Sequence, residues 1–148
     1  MKVSTKGRYG LRSMIDLAIH STEGHVALLY IAERQNISVN YLEQVFSTLR
    51  KAGLVKSVKG AQGGYILGDN SSRITIGRIL RALEGDLSLV EGLDSETGMD
   101  SSLQYCVKVN VWDKMTDTLN QIVDSITLED MVNEYKKMNG TADQMYYI

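Results

Sequence analysis

Apolar residues in the first fifty positions recur with helical spacing. Leu11, Met14, Ile15 and Ala18 fall three and four apart, on one face of a first helix that ends before Gly24. Leu28, Ile31 and Ala32 predict a second helix over 28–35, stopped by Asn36, a residue that tolerates left-handed turn geometry. A third is predicted from an N-cap at Ser38 to Ala52, with Gly53 as its C-terminal cap and Leu42, Val45, Phe46 and Leu49 facing inward. Only Asn36-Ile37-Ser38 separates the second helix from the third, so the two cross sharply, as in a helix-turn-helix. The pattern then changes. Residues 54–58 read as a strand, 59–64 as a glycine-rich turn and 65–67 as the returning strand of a β-hairpin.

Beyond the hairpin, Thr75 caps a short helix over 76–83 that ends at Gly85, and an acidic, loop-like segment covers 91–100. From Leu103 to about Ser125 a long helix carries Trp112, Met115, Leu119, Ile122 and Ile126 at spacings of three and four, the seam of one helix packed on another. At about 35 Å it exceeds what a small domain needs, which assigns it to dimerisation. The alternative is that it covers only its own first helix. Thr127 and Asp130 form a capping pair for a last helix predicted to reach Met138 and to end at Asn139-Gly140. The fold class is therefore mainly α with a small β-hairpin wing. Its parts are a winged helix-turn-helix over 1–85, an acidic connecting or effector loop over 86–102, dimerisation helices over 103–140 and a tail over 141–148.

Composition adds little until charge is divided along the chain. With 148 residues, 43% of them hydrophobic, the default is a soluble globular protein. No stretch approaches the roughly 18 to 20 apolar residues of a membrane span, and Ser4, Thr5 and Arg8 stand where a signal peptide needs an apolar run. The expectation is a cytoplasmic chain with no membrane partner. The net charge of −2 hides a division: residues 1–65 carry nine Lys/Arg against four acids, and residues 84–148 carry four Lys against thirteen acids. A basic half suits a polyanion.

The outward face of the third helix holds Asn40, Gln44, Ser47 and Lys51, polar but hardly charged. Asn40 and Gln44 can pair with adenine edges, Glu43 can accept from cytosine, and Tyr41 can reach phosphate or a thymine methyl in double-stranded DNA. A helix of roughly 22 Å is ample for a major groove about 12 Å wide. The alternative is a plain three-helix core whose polar face meets water. In the hairpin, Lys59 can enter a minor groove while Gly60, Gly63 and Gly64 let backbone approach phosphates. A nucleotide-cradling loop would need the G-x-x-x-x-G-K-[ST] order ahead of a helix, whereas this turn leads into the loop 68–72. An enzymatic reading finds no H-E-x-x-H and no Cys–His pair at motif spacing. A pure interaction module would leave the basic half unexplained.

Four stretches in order, STKGRYGLRSM at 4–14, ISVNYLEQ at 37–44, LRKAGLVKSVKGAQGGY at 49–65 and ITLEDMV at 126–132, resemble the Rrf-two family of bacterial transcription regulators over nearly the whole chain. The resemblance implies a homodimeric winged-helix repressor or activator on an imperfect palindrome, with half-sites about 34 Å apart. It implies DNA contacts from Lys6, Arg8, Ser38, Asn40, Tyr41, Glu43, Gln44, Arg50, Lys56, Lys59 and Gln62. The family includes iron-sulfur regulators, nitric-oxide sensors and cysteine-metabolism repressors.

Cys106 is the single cysteine, which excludes an intramolecular disulfide and a four-ligand metal site built of cysteines. Cluster-binding members present three cysteines and a further ligand in and after the acidic segment. Here only Cys106 matches, and Asp94, Ser95, Asp100, Ser101 and Ser102 stand in that segment instead. The sequence as written implies no cofactor and resembles the cysteine-metabolism repressors; a two-iron two-sulfur cluster would require that cysteines of the natural protein are replaced here. Cys106 reads as an inert, buried residue, with a partly exposed redox-sensing thiolate near Lys108 as the alternative. His20 and His25 read as surface residues. The tail ends Met145-Tyr146-Tyr147-Ile148 and resembles that of the cysteine-metabolism repressors, which implies O-acetylserine thiol-lyase as a partner through Ile148. The alternative is that these aromatics fold back on the dimer.

Overall fold

Ser4, Ser38, Thr75 and Ser102 each stand just before a helix and accept a hydrogen bond from an amide three residues on, satisfying one of the first free N–H groups. The computed structural model describes residues 2–90 and 102–146, with side chains to residue 140. The acidic segment 91–101 and the terminal Tyr147 and Ile148 lie outside the described residues. Helices α1 (Thr5–His20), α2 (Leu28–Gln35) and α3 (Val39–Lys51) match the predicted three. Asn36 takes the left-handed conformation between α2 and α3, with φ 55° and ψ 50°.

The hairpin pairs β1 (Val55–Val58) with β2 (Gly64–Leu67), in antiparallel register from Val55 opposite Leu67 to Val58 opposite Gly64. A third piece, absent from the sequence reading, is Val26, whose N–H and C=O bond Tyr65 at 2.9 and 2.8 Å. This explains two of the turn glycines by packing. A Cβ on Gly64 would stand 2.4 Å from the Val26 carbonyl oxygen, and one on Gly63 2.7 Å from that of Val58. Gly60, with φ +137°, faces open space at the tip.

Helix α4 (Ile76–Glu84) packs across α1 and α3 and buries Ile76, Ile79, Leu80 and Leu83. Together with Met14, Leu17, Ile31, Leu42, Phe46 and Leu49 these form one core, which also takes in Val123 and Leu128 from the C-terminal half. That half is anchored twice. The Ile76 amide donates to the Ile126 carbonyl at 2.8 Å and the Leu128 amide to the Ile74 carbonyl at 2.9 Å. Beside these bonds, Arg81 on α4 reaches Asp124 at 2.7 Å and Asn120 at 2.6 Å.

The expected single helix from Leu103 to Ser125 is broken into α5 (Leu103–Val107), a π-helical turn (Lys108–Trp112) and α6 (Asp113–Ser125). Val107 ends α5 and Val109 and Val111 lie in this turn, and their branched side chains crowd an α-helical turn. A π turn shifts the helical register, so the apolar seam does not continue straight across it. The last helix, α7 (Leu128–Tyr146), also departs from expectation: it runs through Asn139-Gly140. Its start is as predicted, with the Thr127 and Asp130 side chains each accepting the other's amide at 3.0 Å. Gly140 is not among the positive-φ glycines, and a right-handed glycine costs a helix only about 1 kcal/mol. Among the described residues no helix is long and apolar enough to cross a membrane.

Candidate nucleic-acid interface

Helix α3 divides sharply between its two faces. Leu42, Val45, Phe46 and Leu49 are buried, while Asn40, Glu43, Gln44 and Arg50 are exposed on the other side. Ser38 is exposed, and its Oγ is engaged by the Tyr41 amide, which leaves its own O–H to donate. Arg50 lies ten residues beyond Asn40, about 15 Å along the axis, so the two serve opposite ends of the helix.

From within, α3 is joined to the wing: Phe46 meets Tyr65 of β2 at a ring separation of 4.9 Å and 62°. The exposed faces of α3 and the hairpin are thereby held by one aromatic contact. Lys56, Lys59 and Gln62 are all exposed. Gln62 is fixed through its backbone, because its carbonyl oxygen is bonded by the Nε2 of His25, in the α1–α2 connection. Both His20 and His25 are at the surface, as expected.

The N-terminal half of α1 joins the same surface. Arg8 is exposed and Lys6 half-buried. Tyr9 sets its ring edge-to-face against Tyr41 of α3, at 6.1 Å and 86°, and the guanidinium groups of Arg8 and Arg12 stand over the Tyr9 ring at 5.9 and 4.9 Å. Arg12 also donates to the Gln35 carbonyl at 2.7 Å, at the end of α2. Tyr9 and Arg12 were not singled out in the sequence, although their spacing of three put them on one face of α1.

Beneath this surface lies a buried charge that sequence reasoning treated only as part of the charge balance. Asp16 is 3% exposed and accepts from Arg34 Nη2 at 2.7 Å, Arg34 Nε at 3.0 Å and Gln35 Nε2 at 2.8 Å. The hydrogen bond to Asp16 holds the Arg34 guanidinium above its usual pKa. An acid set between Ile15 and Leu17 on an apolar face was the available signal, since acids are almost never buried unless paired.

The residues proposed for dimerisation divide between two environments. Leu119 and Ile126 pack against this chain's own core, beside the buried Val123, and Trp112 is half-buried. Met115 and Ile122 are 50% and 54% exposed, next to an exposed Val111. Cys106 is exposed rather than buried, on a single turn of helix with no buried residue, and its sulfur accepts from the Asn110 side-chain amide at 3.7 Å.

Residues 3–134 match the model of the Rrf2 family, described as an iron-dependent transcriptional regulator. The donor set present does not fit an iron-sulfur cluster: the chain has one cysteine, and no three His, Cys, Asp or Glu among the described residues are grouped to hold a metal ion. The transcriptional regulator CymR of Bacillus subtilis is 47% identical over 133 residues, 90% of this chain and 91% of that protein. IscR of Pectobacterium atrosepticum is 43% identical over 141 residues, 94% of this chain and 84% of that one. The solved structure of CymR, the global cysteine regulator of B. subtilis, aligns with a TM-score of 0.77 at 46% identity, covering 90% of this chain and 98% of its own. With its helix-turn-helix, its wing and this shared sequence, the chain belongs to the Rrf2 family of transcriptional regulators.

Proposed function

We propose that the chain binds double-stranded DNA sequence-specifically as a homodimer and represses genes of cysteine or iron-sulfur metabolism. The observation that carries this reading is α3, rigidly seated by four buried side chains and presenting Asn40, Glu43 and Gln44 outward from a Ser38 cap. In this reading Asn40, Tyr41, Glu43 and Gln44 meet base edges in the major groove, while Lys6, Arg8, Ser38, Arg50, Lys56 and Gln62 contact the backbone and Lys59 enters the minor groove. The exposed stripe of Val111, Met115 and Ile122 supports pairing with a second copy, which would present two α3 helices to a palindrome. Similarity to CymR and the single cysteine favour the cysteine branch over cluster sensing.

The test is selection of a duplex from a random pool by the purified chain, followed by salt titration of wild type and Lys59→Ala. A palindromic consensus bound by a sedimenting dimer is expected, and the variant should lower the slope of log affinity against log salt by about 1. A chain that retains no duplex at 100 mM salt, or a variant with an unchanged slope, would falsify the reading.

A further inference from the structure

Arg12 has no carboxylate partner among the described residues; its contacts are the Gln35 carbonyl at 2.7 Å and the Tyr9 ring at 4.9 Å. These two contacts lie on either side of the α2–α3 junction. Gln35 is the last residue of α2, immediately before left-handed Asn36, and Tyr9 touches Tyr41 in the first turn of α3. One planar cation therefore grips the end of α2 with a charge-assisted hydrogen bond and, through Tyr9, braces the start of α3. Other restraints hold each helix separately: Gln35 Nε2 donates to Asp16 at 2.8 Å, Ile37 is buried in the core and α3 is seated by its own buried side chains, whereas Arg12 links the end of α2 to the start of α3. Ile37 is tied to α2 by its amide, which donates to the Ala32 carbonyl at 3.0 Å, and Ser38 spends its Oγ on the Tyr41 amide.

We propose that Arg12 is a positioning residue that sets the angle of α3 against α2, and so governs discrimination among DNA sequences rather than general affinity for duplex. This rests on the DNA-binding reading above. Base-edge hydrogen bonds are directional, and the residues assigned to them begin at Asn40, immediately before Tyr41 of the Tyr9–Tyr41 contact. A small rotation of α3 would spoil that geometry while leaving the charge of the basic face intact. Lysine cannot replace this arginine, because a point charge on a flexible stem supplies neither the fork nor the flat stacking surface.

The experiment compares Arg12→Lys, Arg12→Gln, Tyr9→Leu and the Tyr9→Leu/Arg12→Gln double variant on two probes, at equal folded fraction by circular dichroism. The probes are the duplex selected by wild type and a scrambled duplex of equal length. Both Arg12 variants should lose about tenfold on the selected duplex, the order expected for one charge-assisted hydrogen bond. For Arg12→Lys, which keeps the charge, affinity for the scrambled duplex and the salt slope on both should stay at wild-type values. The double variant should be no worse than the poorer single one, since Arg12 reaches α3 through Tyr9. Wild-type behaviour of Arg12→Lys, with a salt slope lower by about 1 in Arg12→Gln, would make Arg12 a phosphate contact and overturn the proposal. Equal losses on both probes would overturn it too. Failure of wild type to select any duplex would instead remove the DNA-binding reading beneath it.

Discussion

Removing either partner of the Asp16–Arg34 pair should destabilise the chain, and the order of the two effects is the informative part. Asp16 has a side chain 2% exposed, whereas that of Arg34 is 35% exposed. Asp16→Ala leaves a guanidinium that can turn to water, together with one stranded Gln35 amide. Its cost is therefore below the 3–5 kcal/mol typical of a broken buried pair, at about 2 kcal/mol. Arg34→Ala leaves a carboxylate in the core with Gln35, and His20 Nδ1 3.3 Å away, as its remaining polar neighbours. It should cost about 3–4 kcal/mol although the residue removed is the more exposed of the two. For a chain of this size about 1 kcal/mol shifts Tm by roughly 2–4 °C, so the expected losses are about 4–8 °C and 6–16 °C. Urea unfolding followed by circular dichroism, at one fixed protein concentration because association would add to stability, measures both. An Arg34→Ala variant milder than Asp16→Ala, or losses under about 0.5 kcal/mol for both, would refute the view that a buried carboxylate organises the α1–α2 contact.

Two further outcomes follow from close contacts elsewhere. Gly64→Ala sets a methyl 2.4 Å from the Val26 carbonyl oxygen, a backbone atom that cannot rotate away, and should cost about 1–3 kcal/mol by thermal melting while weakening duplex binding through a displaced wing. Asp124 is held below its usual 3.8 by the hydrogen bond from Arg81, so its contribution is present above that value and is lost as pH falls through the lowered one. Wild type and Asp124→Asn should therefore differ modestly in stability at pH 6 and converge in strong acid, the difference being small because both side chains are more than a third exposed.

Much of the fold was legible because its signals are local. Ser38, Asn36 and the run Leu42, Val45, Phe46 and Leu49 set the helix-turn-helix within fourteen residues of chain, and α2 starts and stops where its periodicity says. What escaped depends on partners distant in sequence or on an absence of partners. Val26 joins the hairpin only because Tyr65 is brought beside it, and Gly64 serves that approach. The seam over Trp112 to Ile126 has uniform periodicity in the sequence, whereas the chain's own core claims Leu119 and Ile126 and leaves Met115 and Ile122 outside. The habits of its residue type place Cys106 in the core, but α5 buries nothing. On the interface, the outward residues of α3 followed from helical geometry alone. Tyr9 and Arg12 did not, since their roles are fixed by Tyr41 and Gln35 across the fold.

The paired backbone bonds between 74–76 and 126–128 make α6 a beam clamped at its C-terminal end, not a hinged arm. In such a beam each residue carries about 1.5 Å of length and about 100° of rotation. Inserting one residue before Asn120 would leave Arg81, Asp124 and the core contacts of Val123 and Ile126 in place, yet turn Leu119 off the core and swing Met115 and Val111 more than a quarter turn around the axis. Every side chain would be preserved, yet the exposed stripe would be split, with Ile122 left behind and Val111 and Met115 pointing elsewhere. The number of residues in α6 is thus a specification in its own right, one that substitutions leave alone and a single insertion or deletion would rewrite.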